Sequence, residues 1–234
     1  LASVGVMSAQ VAHEINNPLT TVLGYAKLLL EGKAPDHPDR DPLELIASEA
    51  DRMKTIVGGL LEYARAQRKT ARGVAAVPGA ASSCDPAAVL RHVGALLEPQ
   101  LRRTRTSLAL DVTQTAPVAI EAHSLQQILV NLGQNATQAM AEAHIEGTVT
   151  IAARPAPGGV ATLITVTDEG PGVRPGDRAR VFDPFFTTKA AGAGTGLGLA
   201  VCKHLVATAG GSIEVVDGPG GRGAEFRVVV PNAA

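Results

Sequence analysis

A histidine followed directly by a carboxylate stands near the start of the chain, in Ala12-His13-Glu14-Ile15-Asn16-Asn17-Pro18. Val11 and Ile15 belong to an apolar series of helical period. His13 is two positions from each, so at about 100° per residue it points away from the buried seam and faces water. An imidazole with an ordinary pKa of about 6.5 is mostly neutral at pH 7 and keeps a lone pair for attack on a phosphorus or carbonyl centre. Glu14 can polarise the ring and accept its proton, and Asn17 lies one turn on, on nearly the same face. Pro18 removes one helical hydrogen bond and is expected to bend the helix just past this group. A lone histidine on a wet helical face is ordinary, so the chemistry depends on what else the chain carries.

Three further groups and an aromatic run supply it. Asn131 and Asn135 fall on one helical face beside the apolar set Ile128, Leu129, Leu132, Ala136 and Met140. Asparagine suits a helix interior poorly, whereas carboxamide oxygens suit Mg²⁺ and their NH₂ groups suit phosphate oxygens. Asp168-Glu169-Gly170-Pro171-Gly172 follows an apolar strand. A carboxylate there, with two glycines that let backbone approach a flat ligand, is placed to accept a hydrogen bond from an exocyclic amine such as that of adenine. Gly192 to Ala200 is a glycine-rich loop entering a helix, where backbone amides and the positive helix end form a phosphate cradle. It misses the dinucleotide fingerprint, because its third glycine comes one residue early and no strand precedes it, and it lacks the lysine ending of a P-loop. Before it, Phe182-Asp-Pro-Phe-Phe-Thr-Thr-Lys189 holds three of the four phenylalanines. That cluster is expected to anchor a flap running from Val173 to Ala193, with Lys189 placed to reach a phosphate.

The elements that must position these groups follow from periodicity. Val4, Met7, Val11, Ile15, Leu19, Val22, Ala26 and Leu29 make one helical stripe, and Ile46, Ala50, Met53, Val57, Leu60 and Ala64 a second. Between them residues 31–42, with three prolines and a glycine, break the helix. Two helices with narrow stripes cannot close a core alone, so the expectation is an α-helical hairpin that pairs with a second copy into a dimeric four-helix bundle. Residues 68–85 lose the periodicity and have linker composition. Asp85-Pro86 then caps a helix carrying Val89, Leu90, Val93, Leu96 and Leu97 on its apolar side. Beyond it the sequence predicts strand over 107–112, helix over 124–143, strands over 148–154 and 160–167 turned at Gly158-Gly159, helix over 196–209, and strands over 212–216 and 224–230. That is an α/β sandwich with much of its sheet antiparallel, since several connections are too short for a crossover. The domains are therefore 1–67, a linker 68–85, and 86–234.

Composition bounds the function. Of 234 residues, 45% are apolar and 18% charged, which excludes a disordered tail, and no apolar stretch is long enough to span a bilayer. With 21 basic and 22 acidic residues the net charge is −1, so nothing favours nucleic acid or an anionic membrane. Cys84 and Cys202 form no CxxC pair and suggest neither a disulfide framework nor a zinc site. The chain opens at Leu1 without a leader and reads as a cytoplasmic excerpt of a longer protein.

Taken in order, these motifs resemble the catalytic core of two-component sensor histidine kinases. His13-Glu14-Ile-Asn-Asn-Pro-Leu looks like the family's H box, Asn131 to Ala136 its N box, Asp168 to Gly172 its first G box, Phe182 to Phe186 its F box and Gly194 to Gly198 its second G box. The Phe-Phe-Thr-Thr-Lys run and the Asn-Asn-Pro are similar to the subgroup containing nitrogen-regulation sensors. The resemblance implies a dimerisation and phosphotransfer bundle followed by a gyrase-like, Bergerat-type ATP domain. His13 would attack the γ-phosphorus of ATP with Glu14 as general base, then pass the phosphoryl group to an aspartate of a response-regulator receiver domain. Asn17 matches the position that serves dephosphorylation of that regulator. Asp168 would recognise adenine, Asn135 would ligate Mg²⁺, and Asn131 would help order metal and phosphates. Gly170, Gly172, Thr188, Lys189, Gly194, Thr195, Gly196, Leu197 and Gly198 complete the implied nucleotide-binding set. Two rivals explain part of the chain: a same-superfamily ATPase leaves His13 and the hairpin idle, and a phosphotransfer scaffold leaves the nucleotide motifs idle.

Overall fold

The computed structural model describes residues 2–34, 36–71, 83–113, 115–189 and 194–233, without the side chains of 2–14, 55 and 59–71. Two compact units result. The first comprises a hairpin of α1 (Ala2–Glu31) and α2 (Arg40–Ala71) together with the described part of the segment Thr187–Leu197. α1 runs through Pro18 without interruption. The break between the helices is shorter than the proline content of 31–42 predicts, because Pro42 sits inside the first turn of α2, where its missing N–H would be unpaired anyway. Asp39 precedes that turn: its carbonyl accepts the Leu43 amide at 3.1 Å, and its carboxylate pairs with Lys33 Nζ at 2.9 Å.

The apolar stripe of α1 divides in two. Leu19, Ala26 and Ala50 are buried as expected, and Leu23, off the predicted stripe, joins them. Ile15, Val22 and Leu29 are 42%, 44% and 54% exposed in the single chain, as are Ile46 and Met53 of α2 at 47% and 45%. Among the residues whose side chains are described, only one edge of each stripe closes the hairpin, because two packed helices cover a single seam and leave the other edge bare.

The second unit contains α3 (Pro86–Arg103), β1 (Thr106–Val112), α4 (Ala122–Glu142), β2 (Gly147–Pro155), β3 (Ala161–Thr167), α5 (Gly198–Thr208), β4 (Ser212–Asp217) and β5 (Ala224–Pro231). Its five-stranded sheet has the order β1-β2-β3-β5-β4. β1 and β2 are parallel, joined by the α4 crossover, and the other pairs are antiparallel. Gly158 and Gly159 make the β2–β3 turn with φ of 89° and 72°, a conformation that favours glycine. Asp85 caps α3, its Oδ1 accepting the Ala87 amide at 2.9 Å. α4 buries Ile128, Leu129, Leu132, Ala136 and Met140 as its periodicity predicts. α3 approaches so closely that a Cβ on Gly133 would lie 2.5 Å from Leu97 Cδ1. Leu96, expected on the apolar side of α3, is instead 48% exposed, while its neighbour Leu97 is the residue that packs against α4 at Gly133. Among the described residues no helix is long and apolar enough to cross a membrane.

Candidate functional site

Asp168 leaves β3 at the point where that strand stops pairing with β5. Its amide donates to Ala224 O at 2.9 Å, continuing the ladder by one bond. Its side chain is 4% exposed, and Oδ1 accepts from the Gly170 amide at 2.9 Å and the Ala224 amide at 3.3 Å. Both bonds fall on one oxygen, which leaves the lone pairs of Oδ2 for a ligand. Burial pushes the carboxyl above the usual carboxylate range, and the two amides work in the opposite direction. The glycines are steric necessities. A Cβ on Gly170 would stand 2.8 Å from Asp168 Oδ1, and one on Gly172, at φ 75°, would stand 2.8 Å from Gly223 O. Gly223 itself, at φ 69°, packs against the Asp168 carbonyl so tightly that any Cβ would overlap it.

The residues of the Asp168 cradle lie partly outside the predicted motifs. Gly223 and Ala224 stand far along the chain at the start of β5, and Met140, fully buried, lies beneath Gly170. Gly-Gly-Arg-Gly ahead of a strand was the only sequence signal for the first two.

Asn131 and Asn135 both lie on α4 and both are partly exposed. Asn131 Nδ2 donates to Gly198 O at 3.4 Å, joining α4 to the first residue of α5. A Cβ on Gly198 would only touch Asn131 Cγ, at 3.8 Å. The buried Cys202 thiol beside it donates to Ile128 O at 3.7 Å, and burial pushes that thiol up to about 12, with Asn131 opposing. Ahead of α5, Gly196 has φ 65°, Thr195 Oγ1 accepts the Leu197 amide at 3.3 Å, and Leu197 is buried. Gly194 lies close to Lys189 and Thr187, and Thr188 is exposed. The rest of the expected flap, 190–193, lies outside the described residues.

The phenylalanine cluster is less uniform than its sequence predicts. Phe182 alone is buried, edge-on to Phe226 with centroids 6.3 Å apart. Phe185 is 61% exposed at φ 66°, and the Arg180 guanidinium covers Phe186 at 4.6 Å. The start of this segment is fastened independently by the Arg178–Asp217 pair.

His13 and Glu14 lie within α1, but the expected water-facing position of His13 falls on side chains outside the described set. Asn17 is exposed, and its carbonyl accepts from Thr21 Oγ1 at 3.2 Å. Asn16 buries its Oδ1 without a hydrogen-bond partner, a polar cost that sequence spacing does not reveal.

This arrangement agrees with the comparisons to known proteins. Residues 3–69 match the His Kinase A (phospho-acceptor) domain, and residues 120–234 match the histidine kinase-, DNA gyrase B- and HSP90-like ATPase domain. The chain belongs to the histidine kinases and is a catalytic core of that family: a helical hairpin followed by a mixed α/β ATP-binding domain. Among its relatives, the sensor histidine kinase ZraS of Salmonella typhi is 32% identical over 232 residues, spanning 99% of this chain and 46% of that protein. The C4-dicarboxylate transport sensor protein DctB of Rhizobium meliloti is 34% identical over 226 residues, spanning 94% of this chain and 34% of that protein. The crystal structure of full-length ShkA in complex with AMPPNP is similar at a TM-score of 0.70 and 31% identity, covering 97% of this chain and 46% of that one. The chain thus spans about half the length, or less, of the curated relatives it matches.

Proposed function

We propose that the chain uses ATP to phosphorylate His13 and then transfers the phosphoryl group to an aspartate of a response-regulator receiver domain. The observation that carries this reading is Asp168, a buried carboxylate whose Oδ1 is held by two backbone amides. Such a carboxylate would serve as the amine-recognising group, and the phospho-acceptor match over residues 3–69 supports a nucleophile in the same chain. Phosphoryl transfer is mainly positioning and charge neutralisation, so dividing nucleophile and nucleotide between residues 1–67 and 86–234, with 68–85 as linker, makes approach of the two the controlled step.

Asp168 takes the adenine amine, Gly170 and Gly172 let the ring come close, and Gly194 to Gly198 with Thr188 and Lys189 face the phosphates. Asn135 offers a hard carboxamide oxygen suited to Mg²⁺, and Asn131 orders the phosphates beside it. Bound there, Mg²⁺ would neutralise charge on the phosphate oxygens. Glu14 removes the His13 proton as the ring attacks phosphorus, and Asn17 serves dephosphorylation of the regulator. Exposed Ile15, Val22, Leu29, Ile46 and Met53 support a homodimeric four-helix bundle, since apolar residues seven apart form a coiled-coil seam. The motif wording favours the nitrogen-regulation subgroup.

Incubation with γ-labelled Mg-ATP tests the reading. Label that is acid-labile and base-stable is expected on the unsubstituted chain and absent from His13→Ala and Asn135→Ala, with metal-dependent nucleotide binding lost only in Asn135→Ala. Label persisting in His13→Ala overturns it.

A further inference from the structure

Glu169, directly after Asp168, is exposed and has no part in the reading above. Its carboxylate nevertheless reaches back to β2. Oε2 accepts the Thr148 amide at 3.4 Å and lies over Gly147 so closely that a Cβ there would overlap it. These are the first residues of β2, where Gly147 and Thr148 pair with Thr106 and Ser107 of β1. On the other side of the same turn, a Cβ on Gly223 would come within 3.0 Å of Glu169 Cα. The turn carrying Asp168 is therefore gripped twice: through backbone by the start of β5, and through one side chain by the start of β2. Met140 packs below both grips, with Cε 3.1 Å from a Cβ placed on Gly147 and Cγ 3.4 Å from one placed on Gly170.

The two grips restrain different motions. Gly223 and Ala224 hold the main chain of Asp168 and its Oδ1 from the β5 side, so a tilt of the 168–172 turn away from β2 must be opposed from the β2 side. Glu169 Oε2, accepting the Thr148 amide, ties this turn to β2 through a side chain and opposes that tilt. A small tilt moves Asp168 Oδ2 off the line of an incoming N–H, and hydrogen bonds weaken steeply with angle. We propose that Glu169 is a positioning residue that aims Asp168, and so sets how strongly the site prefers a purine bearing a 6-amino group over one without it. This rests on the assignment of Asp168 to the adenine amine.

The test compares Kd for ATP with Kd for purine riboside triphosphate, which lacks that amine, by calorimetric titration of the whole chain. The unsubstituted protein is expected to prefer ATP. Glu169→Ala should lower that preference about three- to five-fold, the scale of one net hydrogen bond, while leaving the affinity for the amine-free analogue and the melting temperature nearly unchanged. Gly147→Ala, which displaces the carboxylate without removing it, should likewise lower the preference for ATP, with some loss of melting temperature from its contact with Met140. Glu169→Gln keeps an acceptor oxygen and should restore most of the preference. If the unsubstituted protein shows no preference, the role of Asp168 falls and this inference with it. If the preference exists but survives in Glu169→Ala, or if both affinities fall in parallel, the inference alone is overturned.

Discussion

Replacing Asp168 with asparagine keeps the shape of the side chain and separates its two duties. The oxygen that accepts the Gly170 and Ala224 amides must remain an acceptor, so in Asp168→Asn the carboxamide oxygen takes the Oδ1 place and Nδ2 takes that of Oδ2. On the proposed role of Asp168, a donor then faces the donor amine of adenine. Hydrogen bonds to charged groups are worth about 1.5–3 kcal/mol, and each 1.4 kcal/mol is about tenfold, so Kd for ATP should rise roughly 10- to 150-fold. Stability should move the other way. Burial raises the Asp168 carboxyl in the folded state above its unfolded value, so the folded chain binds that proton more tightly. The associated stability is complete below the ordinary carboxylate value and is lost as pH rises through the raised folded value. At neutral pH the ionised carboxylate is a cost that asparagine removes. Asp168→Asn should melt at or above the temperature of the unsubstituted protein at pH 7, and its advantage should shrink as pH falls through that window. Calorimetric titration with ATP and thermal melts across pH read the two effects separately. An unchanged Kd, or a lower melting temperature at pH 7, refutes the reasoning.

Two other outcomes follow from packing. Phe182→Ala removes a buried ring packed on Phe226 and should cost about 3 kcal/mol or more in urea unfolding, whereas Phe185→Ala, 61% exposed, should cost under about 1 kcal/mol. Equal costs would show that the rings act as one cluster. Val22→Glu with Leu29→Glu places charge on residues 44% and 54% exposed in the single chain, so the hairpin should stay helical while self-association weakens by about two orders of magnitude or more. Sedimentation checks this, and an unaltered association constant would refute the dimer face proposed on these residues.

What sequence made legible was local. The apolar set of α4, the Asp85 cap and the Gly158-Gly159 turn were all readable, because helical periodicity, capping and positive φ are set by neighbours in the chain. The stripe on α1 was legible as apolar but not in its division, since adjacent Val22 and Leu23 are both apolar and only packing in the hairpin buries Leu23 while leaving Val22 exposed. The place of each phenylalanine was equally hidden, because burial of Phe182 depends on Phe226.

The same boundary runs through the site. Residue types and spacing alone determined that Asp168 closes a strand before two glycines, that Asn131 and Asn135 share a helix, and that a glycine loop enters α5. Only the tertiary structure decided that Gly223 and Ala224 grip Asp168 from one side while Glu169 ties the turn to Thr148 on the other. Those contacts depend on the pairing of β3 with β5 and of β2 with β1. Strand register is fixed by burial of whole faces at once, so no short stretch of sequence carries it.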